Sequence, residues 1–234
     1  MVQTNKIYEV SFDLIDYESV FEKIKTWRST GTHSYITITN PYSVMMCRKN
    51  SKMAQAHTLA GLTLPDGIGI ILAANILGFP HCGRVTGPEL MLKVCDWGRE
   101  YGMRHFFYGG SKEVAKLLGE NLTQKFPSLE IAGVYSPGHK KIGEKESEDV
   151  INMINASKPD ILWVGLGAPK QEIWMLDHLD KINSAVMIGV GAAFDFHSGN
   201  AKWAPKAFRK KGLEWLWRLI LEPKRMIQIG RAHV

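Results

Sequence analysis

The sequence predicts an α/β fold: a Rossmann-like, largely parallel sheet flanked by helices, with a C-terminal helical basic appendage. Three observations predict it. Short β-branched or aromatic runs alternate with amphipathic helical patterns along most of the 234 residues, as βα units of a parallel sheet do. Several of these runs end in glycine-rich turns that open directly into helical patterns, as at Gly109-Gly110-Ser111 and Gly165-Leu166-Gly167. Positive charge is also gathered at one end. From Lys202 to Val234 nine lysines and arginines face two glutamates, a net +7, while the rest of the chain carries −1. The expected division is therefore an α/β body over 1–200 and an appendage over 201–234.

Ile7 to Phe12 reads as a first strand and Tyr17 to Trp27 as a helix. Ser34 to Thr39 is a β-branched, aromatic strand, and Asn40-Pro41 supplies an N-cap followed by proline at the first helical position. The helical segment around Val44-Met45-Met46 breaks near Asn50-Ser51 and resumes to Leu59. A short strand at Leu62-Thr63-Leu64 runs into Pro65-Asp66-Gly67 and a helix to Leu77. After a loop, Thr86-Gly87-Pro88-Glu89 fits a capping box, with Leu90, Val94, Trp97 and Tyr101 inward at helical spacing. Arg104 to Tyr108, Leu129 to Val134, Asp160 to Val164 and Ala185 to Val190 read as strands. Helices follow them, the one before Asp160 running from Glu144 to Asn155. In Leu213 to Leu221 one polar stripe (Glu214, Arg218, Glu222) interrupts a circumference of Trp and Leu, so that helix needs a covering surface.

Composition narrows the function classes. Hydrophobic content of 45% with 22% charged residues suits a globular core rather than disorder. The longest apolar runs, Gly67 to Ala74 and Ala185 to Phe194, are too short to span a bilayer. The first six residues lack the layout of a secretory signal. Cys47, Cys82 and Cys95 match no zinc spacing and read as reduced cytosolic thiols. The eight histidines show no paired spacing, and His33, His57, His81 and His178 read as surface residues. A basic end on a neutral body points to an anionic partner.

In parallel sheets ligands collect at the carboxyl ends of the strands. The segments expected there are Thr39-Asn40, Asp66-Gly67, Gly109-Gly110-Ser111, Gly165 to Gln171 and Gly191 to Asp195. Glycine turns that open helices direct N–H groups and the positive dipole end at phosphates. No Asp-x-Asp pair stands at a strand end, and neither a Walker phosphate loop nor a dinucleotide fingerprint is present. Phosphates would therefore be met by cationic side chains, with Arg84, Lys170 and the basic tail as candidates, and no metal or cofactor is expected.

The ordered set Thr39-Asn40-Pro41, Leu64-Pro65-Asp66-Gly67, Gly83-Arg84-Val85-Thr86-Gly87, Phe107-Tyr108-Gly109-Gly110, Gly165 through Glu172 and Gly189 through Asp195 closely resembles the WecG/TagA/CpsF glycosyltransferases. The tail from Ala204-Pro205 to Glu222-Pro223 matches as well. Two positions depart from the family pattern: Ile38 where members often carry Thr, and Gln228 where a basic residue is common.

The resemblance implies an inverting, metal-independent transfer of a hexose-type sugar from a UDP-sugar donor. The acceptor would be a polyprenyl-diphosphate-linked saccharide at the inner face of the cell membrane, in bacterial surface polysaccharide synthesis. Carried onto this sequence, Asp66 would be the general base, with Asn40 and Thr39 beside it. Arg84 would hold donor phosphate or sugar, and Gln171 would line the pocket. Gly109, Gly110, Ser111, Gly167, Lys170 and Asp195 would complete the nucleotide site, and Arg218 and Arg225 would close over the diphosphate. The tail would meet the membrane surface, a homo-oligomer is permitted, and no nucleic-acid partner is expected. The alternatives are a non-enzymatic nucleotide- or membrane-binding α/β protein and an NAD(P)-dependent oxidoreductase. The second of these lacks its fingerprint.

Overall fold

The segment expected as one strand from Ile7 to Phe12 folds back on itself. In the computed structural model, β1 (Lys6–Ile7) and β2 (Val10–Ser11) form a tight antiparallel hairpin, with Ile7 opposite Val10. Tyr8 turns the corner at a φ of 54°. The turn lets Ile7, Val10 and Phe12 all reach one apolar cluster, which a straight strand with alternating sides could not do. The structure describes residues 5–79, 83–138, 141–142 and 144–221, with Lys210 and Arg218 described by backbone alone.

Helix α1 (Tyr17–Thr30) is capped by Asp16, whose carboxylate accepts the Ser19 N–H, and buries Val20, Phe21, Ile24 and Trp27. β3 (Ser34–Thr39) leads into α2 (Pro41–Lys49), capped by Asn40. The expected break comes at Asn50, which ends α2 and caps α3 (Ser51–Thr58) through the Met53 N–H. β4 (Leu62–Pro65) and α4 (Ile68–Ile76) follow. α5 (Gly87–Trp97) runs into a 3-10 turn over Gly98–Tyr101. That tightening leaves Tyr101 exposed rather than in the core. The capping box expected at Thr86 does not form. The Tyr17 phenol takes that place instead, accepting the Thr86 N–H at 3.1 Å and donating to Glu89 at 3.3 Å.

The second half alternates as expected: β5 (Arg104–Gly109), α6 (Lys112–Lys125), β6 (Glu130–Tyr135), α7 (Glu148–Ala156), β7 (Ile161–Gly165), α8 (Lys170–His178), β8 (Val186–Gly189) and α9 (Ala193–Ser198). α7 starts later than predicted, at Glu148 rather than Glu144, because Glu144 is used to accept the Lys141 N–H in the preceding loop.

The main sheet has six strands, all parallel, in the order β4-β3-β8-β7-β5-β6. One face is covered by α1, α5, α6 and α9 around Phe107, Trp163 and Phe194. The other is covered by α7 and α8 around Tyr108, Val164 and Trp174. A third cluster joins α2, α3 and α4 to the hairpin. The outer edge of β4 is closed by Asp13. Its N–H donates to the Thr63 carbonyl at 2.9 Å, and its carboxylate accepts the Thr63 N–H at 2.7 Å. An edge strand closed this way offers no ladder to another chain.

The chain divides into two compact units, one ending at Ala201 and one beginning at Lys202. Within the second, α10 (Lys206–Lys210) and α11 (Glu214–Leu221) are joined through Gly212. Phe208 and Trp217 rings meet at 5.4 Å, and Arg209 stacks over Trp203 at 3.7 Å. Trp215, Leu219, Ile220 and Leu221 are exposed.

Candidate active site

β5 is followed by a helix on one face of the sheet and β7, its neighbour, by a helix on the other. Two adjacent strands whose connections leave in opposite directions open a crevice at their carboxyl ends. Gly109 and Gly110 form one lip, and Gly165 to Gly167 the other. The lips touch, with the Gly110 N–H donating to the Gly165 carbonyl at 3.2 Å. Gly109 has φ of 135°, and a Cβ there would lie 2.6 Å from the Gly165 backbone, so only glycine fits. Ser111 caps α6, accepting the Val114 N–H at 3.3 Å, and is exposed. Lys170 is the first residue of α8, after a cis Ala168–Pro169 bond.

Gln171 ties this crevice to the next strand. Its side-chain Oε1 accepts the Gly167 N–H at 3.2 Å and the Gly191 N–H at 3.0 Å, while Nε2 donates to Glu172 at 2.9 Å. Expected to line the pocket, Gln171 is only 5% exposed and spends its amide inside the protein as a clip between two glycine turns. Glu172 is fully enclosed, and its second oxygen, Oε2, has no hydrogen-bond partner among the described residues. Burial pushes its carboxyl up to about 7, against a smaller downward pull from Gln171. In the sequence Glu172 is one letter of a motif, and nothing in its spacing marks a buried acid.

At the far end of the sheet β4 stops at Pro65, paired with Thr39. The Asp66 N–H donates to the Thr39 carbonyl at 2.9 Å, fixing Asp66 beside Asn40 on the same rim. Asp66 and Asn40 are both partly exposed. The Asn40 side chain accepts the Ser43 N–H at 3.0 Å, which leaves its amide group for other partners. The Val85 N–H donates to the Pro65 carbonyl at 3.0 Å, so Arg84 is held at this end too. Asp195 lies in α9, its carboxylate accepting from Asn200 at 2.9 Å.

Thr39, expected next to the reacting groups, is wholly buried. His57 explains why. Its Nδ1 lies 2.9 Å from the Met53 carbonyl and therefore carries the proton, so Nε2 accepts from the Thr39 hydroxyl at 3.0 Å. Burial holds the His57 imidazole below its ordinary value. His57 and His178 are thus interior residues, contrary to the surface placement their spacing suggested; His81 lies outside the described residues. His178 accepts the Glu146 N–H at 3.2 Å, and Glu146 in turn accepts from the Tyr108 phenol, anchoring the loop before α7. Of the tail residues, the Arg218 side chain and all of Arg225 lie outside the described residues.

The structure thus brings Asp66, Asn40, Arg84, Gly109, Gly110, Ser111, Gly167, Lys170 and Asp195 to the carboxyl end of one sheet. The N-termini of α2, α4, α5, α6, α8 and α9 open on the same end. At about 4.8 Å per strand, Asp66 stands roughly 14 Å from β7. An elongated anionic ligand can therefore place phosphates over the glycine crevice and its other end at Asp66. The arrangement sets a partly exposed carboxylate and several helix N-termini on one rim of an α/β body, three strands from the glycine turns of β7.

The pattern of the "Glycosyl transferase WecG/TagA/CpsF family" matches residues 5–230. The chain belongs to that family and is a glycosyltransferase. It is 33% identical, over 98% of its length and 89% of the relative's, to a Bacillus spizizenii protein named N-acetylglucosaminyldiphosphoundecaprenol N-acetyl-beta-D-mannosaminyltransferase. A Staphylococcus aureus protein of the same name is 31% identical over 96% of this chain and 86% of the relative.

Proposed function

We propose that the protein transfers N-acetylmannosamine, with inversion and without a metal, from a UDP-linked donor to the N-acetylglucosamine of a polyprenyl-diphosphate acceptor. The transfer would serve surface polysaccharide synthesis at the inner face of the cell membrane. The names of its relatives support the sugar and the acceptor. The observation that carries the reading is the position of Asp66, partly exposed and fixed by its backbone to Thr39. It shares a rim with the glycine crevice of β5 and β7.

In this mechanism the Asp66 carboxylate takes the proton of the acceptor hydroxyl as that oxygen attacks the anomeric carbon. The bond from anomeric carbon to phosphate oxygen breaks in the same step, its electron pair leaves with UDP, and the configuration inverts. Charge builds on the departing diphosphate. Helix N-termini, Lys170 and Arg84 would stabilise it, most strongly where water is excluded. Asn40 would orient the sugar with its free amide group. Gln171 and Glu172 act from behind by fixing the Gly167 and Gly191 turns.

Asp66→Asn is expected to lower kcat by roughly 10²–10⁴ while leaving donor binding and thermal stability close to wild type. The test is a panel of UDP-sugars assayed with a short-chain, water-soluble lipid-diphosphate acceptor, with the product's anomeric configuration read by NMR. Undiminished turnover in the variant, or a retained configuration, would end the proposal.

A further inference from the structure

Two helices begin at the site and share an exposed apolar face. α2 starts behind Asn40, and α4 starts behind Asp66-Gly67. They cross closely at their heads, where a Cβ on Gly69 would fall 2.8 Å from the Pro41 ring. Outward from that crossing, Pro41 and Met45 stand one turn apart on α2, and Gly69, Leu72 and Ile76 share a face of α4. All five are exposed, Met45 at 43%, Leu72 at 53% and Ile76 at 85%. A lone surface leucine is ordinary. Here, however, α4 carries no charged residue along its nine positions, and α2 carries no acid. The strip ends at exposed basic residues, Arg48 and Lys49 in the last turn of α2.

We propose that this face of α2 and α4 rests on an anionic phospholipid bilayer and guides the lipid-linked acceptor to Asp66. The proposal depends on the reading above that the acceptor is lipid-linked, and it adds the surface by which that acceptor arrives. Charge decides between occupants. An apolar strip with a cationic margin complements a negative lipid surface. A second copy in two-fold pairing would find no carboxylate on these helices to meet its basic ends. Continuity points the same way, since the strip starts at the two residues that would flank the acceptor sugar.

The test uses the full chain carrying Leu72→Gln and Ile76→Gln, both at exposed positions, with vesicles of phosphatidylcholine alone or of equal parts phosphatidylcholine and phosphatidylglycerol. Partition onto the anionic vesicles is expected to fall roughly tenfold. Transfer to a long-chain acceptor in those vesicles should fall with it, while transfer to a short-chain soluble acceptor stays unchanged. In a second measurement, Ile76→Cys in a Cys82→Ser background carries a polarity-sensitive fluorophore, whose emission should shift blue on the anionic vesicles. Wild-type partition by the double variant together with an unshifted label overturns the proposal. So does a wild-type dimer that the double variant converts to monomer. Vesicle binding through this face without transfer to any lipid-linked acceptor would strike the proposed function and leave the surface standing.

Discussion

Replacing Glu172 with glutamine should stabilise the protein at alkaline pH and leave it nearly unchanged in acid. Glu172 is fully enclosed, accepts one hydrogen bond from Gln171, and has no partner at Oε2 among the described residues. Burial raises its carboxyl from the ordinary 4.5 to about 7. A carboxyl raised in the folded state binds its proton more tightly folded than unfolded, so stability falls as pH rises from about 4.5 through about 7 and levels off above. At about 1.4 kcal/mol per tenfold in proton affinity, the full loss is about 3 kcal/mol. Glutamine keeps an acceptor for the Gln171 amide and mimics the protonated acid, so it escapes that loss. In a chain of this size about 3 kcal/mol corresponds to a Tm difference on the order of 10 °C. The assay is thermal unfolding of both proteins across pH 5 to pH 8. A Tm difference between variant and wild type that is the same at both ends would refute the reasoning, because Glu172 would then carry no proton-linked cost.

Three further outcomes follow from the same geometry. Gln171→Met removes the acceptor shared by the Gly167 and Gly191 N–H groups. It should cost roughly 2 kcal/mol and raise KM for the donor; donor titration and thermal unfolding check it. Gly109→Ala would drive a Cβ into the Gly165 backbone at a φ that L-residues avoid, with an expected loss of roughly 3 kcal/mol or more seen as a large fall in Tm or in soluble yield. Cys47 is buried, and desolvation first, then Glu172 and Glu9, push its thiol up to about 12. In native protein at pH 8 it should resist iodoacetamide, as peptide mass mapping will show, and react once the chain is unfolded.

What the sequence disclosed was what depends on neighbours in the chain. Periodicity located every strand of the main sheet, since Ser34–Thr39 or Ile161–Gly165 is recognisable from its own residues. The break at Asn50 was equally local, because one side chain both ends α2 and caps α3. The misses are tertiary. Tyr17 displaces the Thr86 cap from 69 residues away. His57 is an interior residue because β3, 18 positions away in sequence, sets the Thr39 hydroxyl against its ring. The Ile7 to Phe12 run has strand composition but is recruited by a cluster on α2, α3 and α4 that no window of sequence contains.

The same distinction bears on the site. Asp66, Asn40 and the glycine turns could be named in advance because each ends a strand, and a parallel sheet gathers strand ends whatever the strand order. Their roles depend on that order. β4 lies at one edge and β7 and β5 lie three and four strands away, so the proposed base and the proposed phosphate cradle are separated by the length of a ligand. The distance has to be held constant across the ends of five strands, and hydrogen bonds between neighbouring ends steady it. Asp66 to Thr39 fixes one end and Gly110 to Gly165 the other, with Gln171 joining the turns after β7 and β8. Gln171 can bridge both turns only while its amide is oriented by Glu172. On this argument a buried acceptor at position 172 fixes the orientation of the amide that sets the spacing of the site, and as a carboxyl it carries a stability cost that grows with pH.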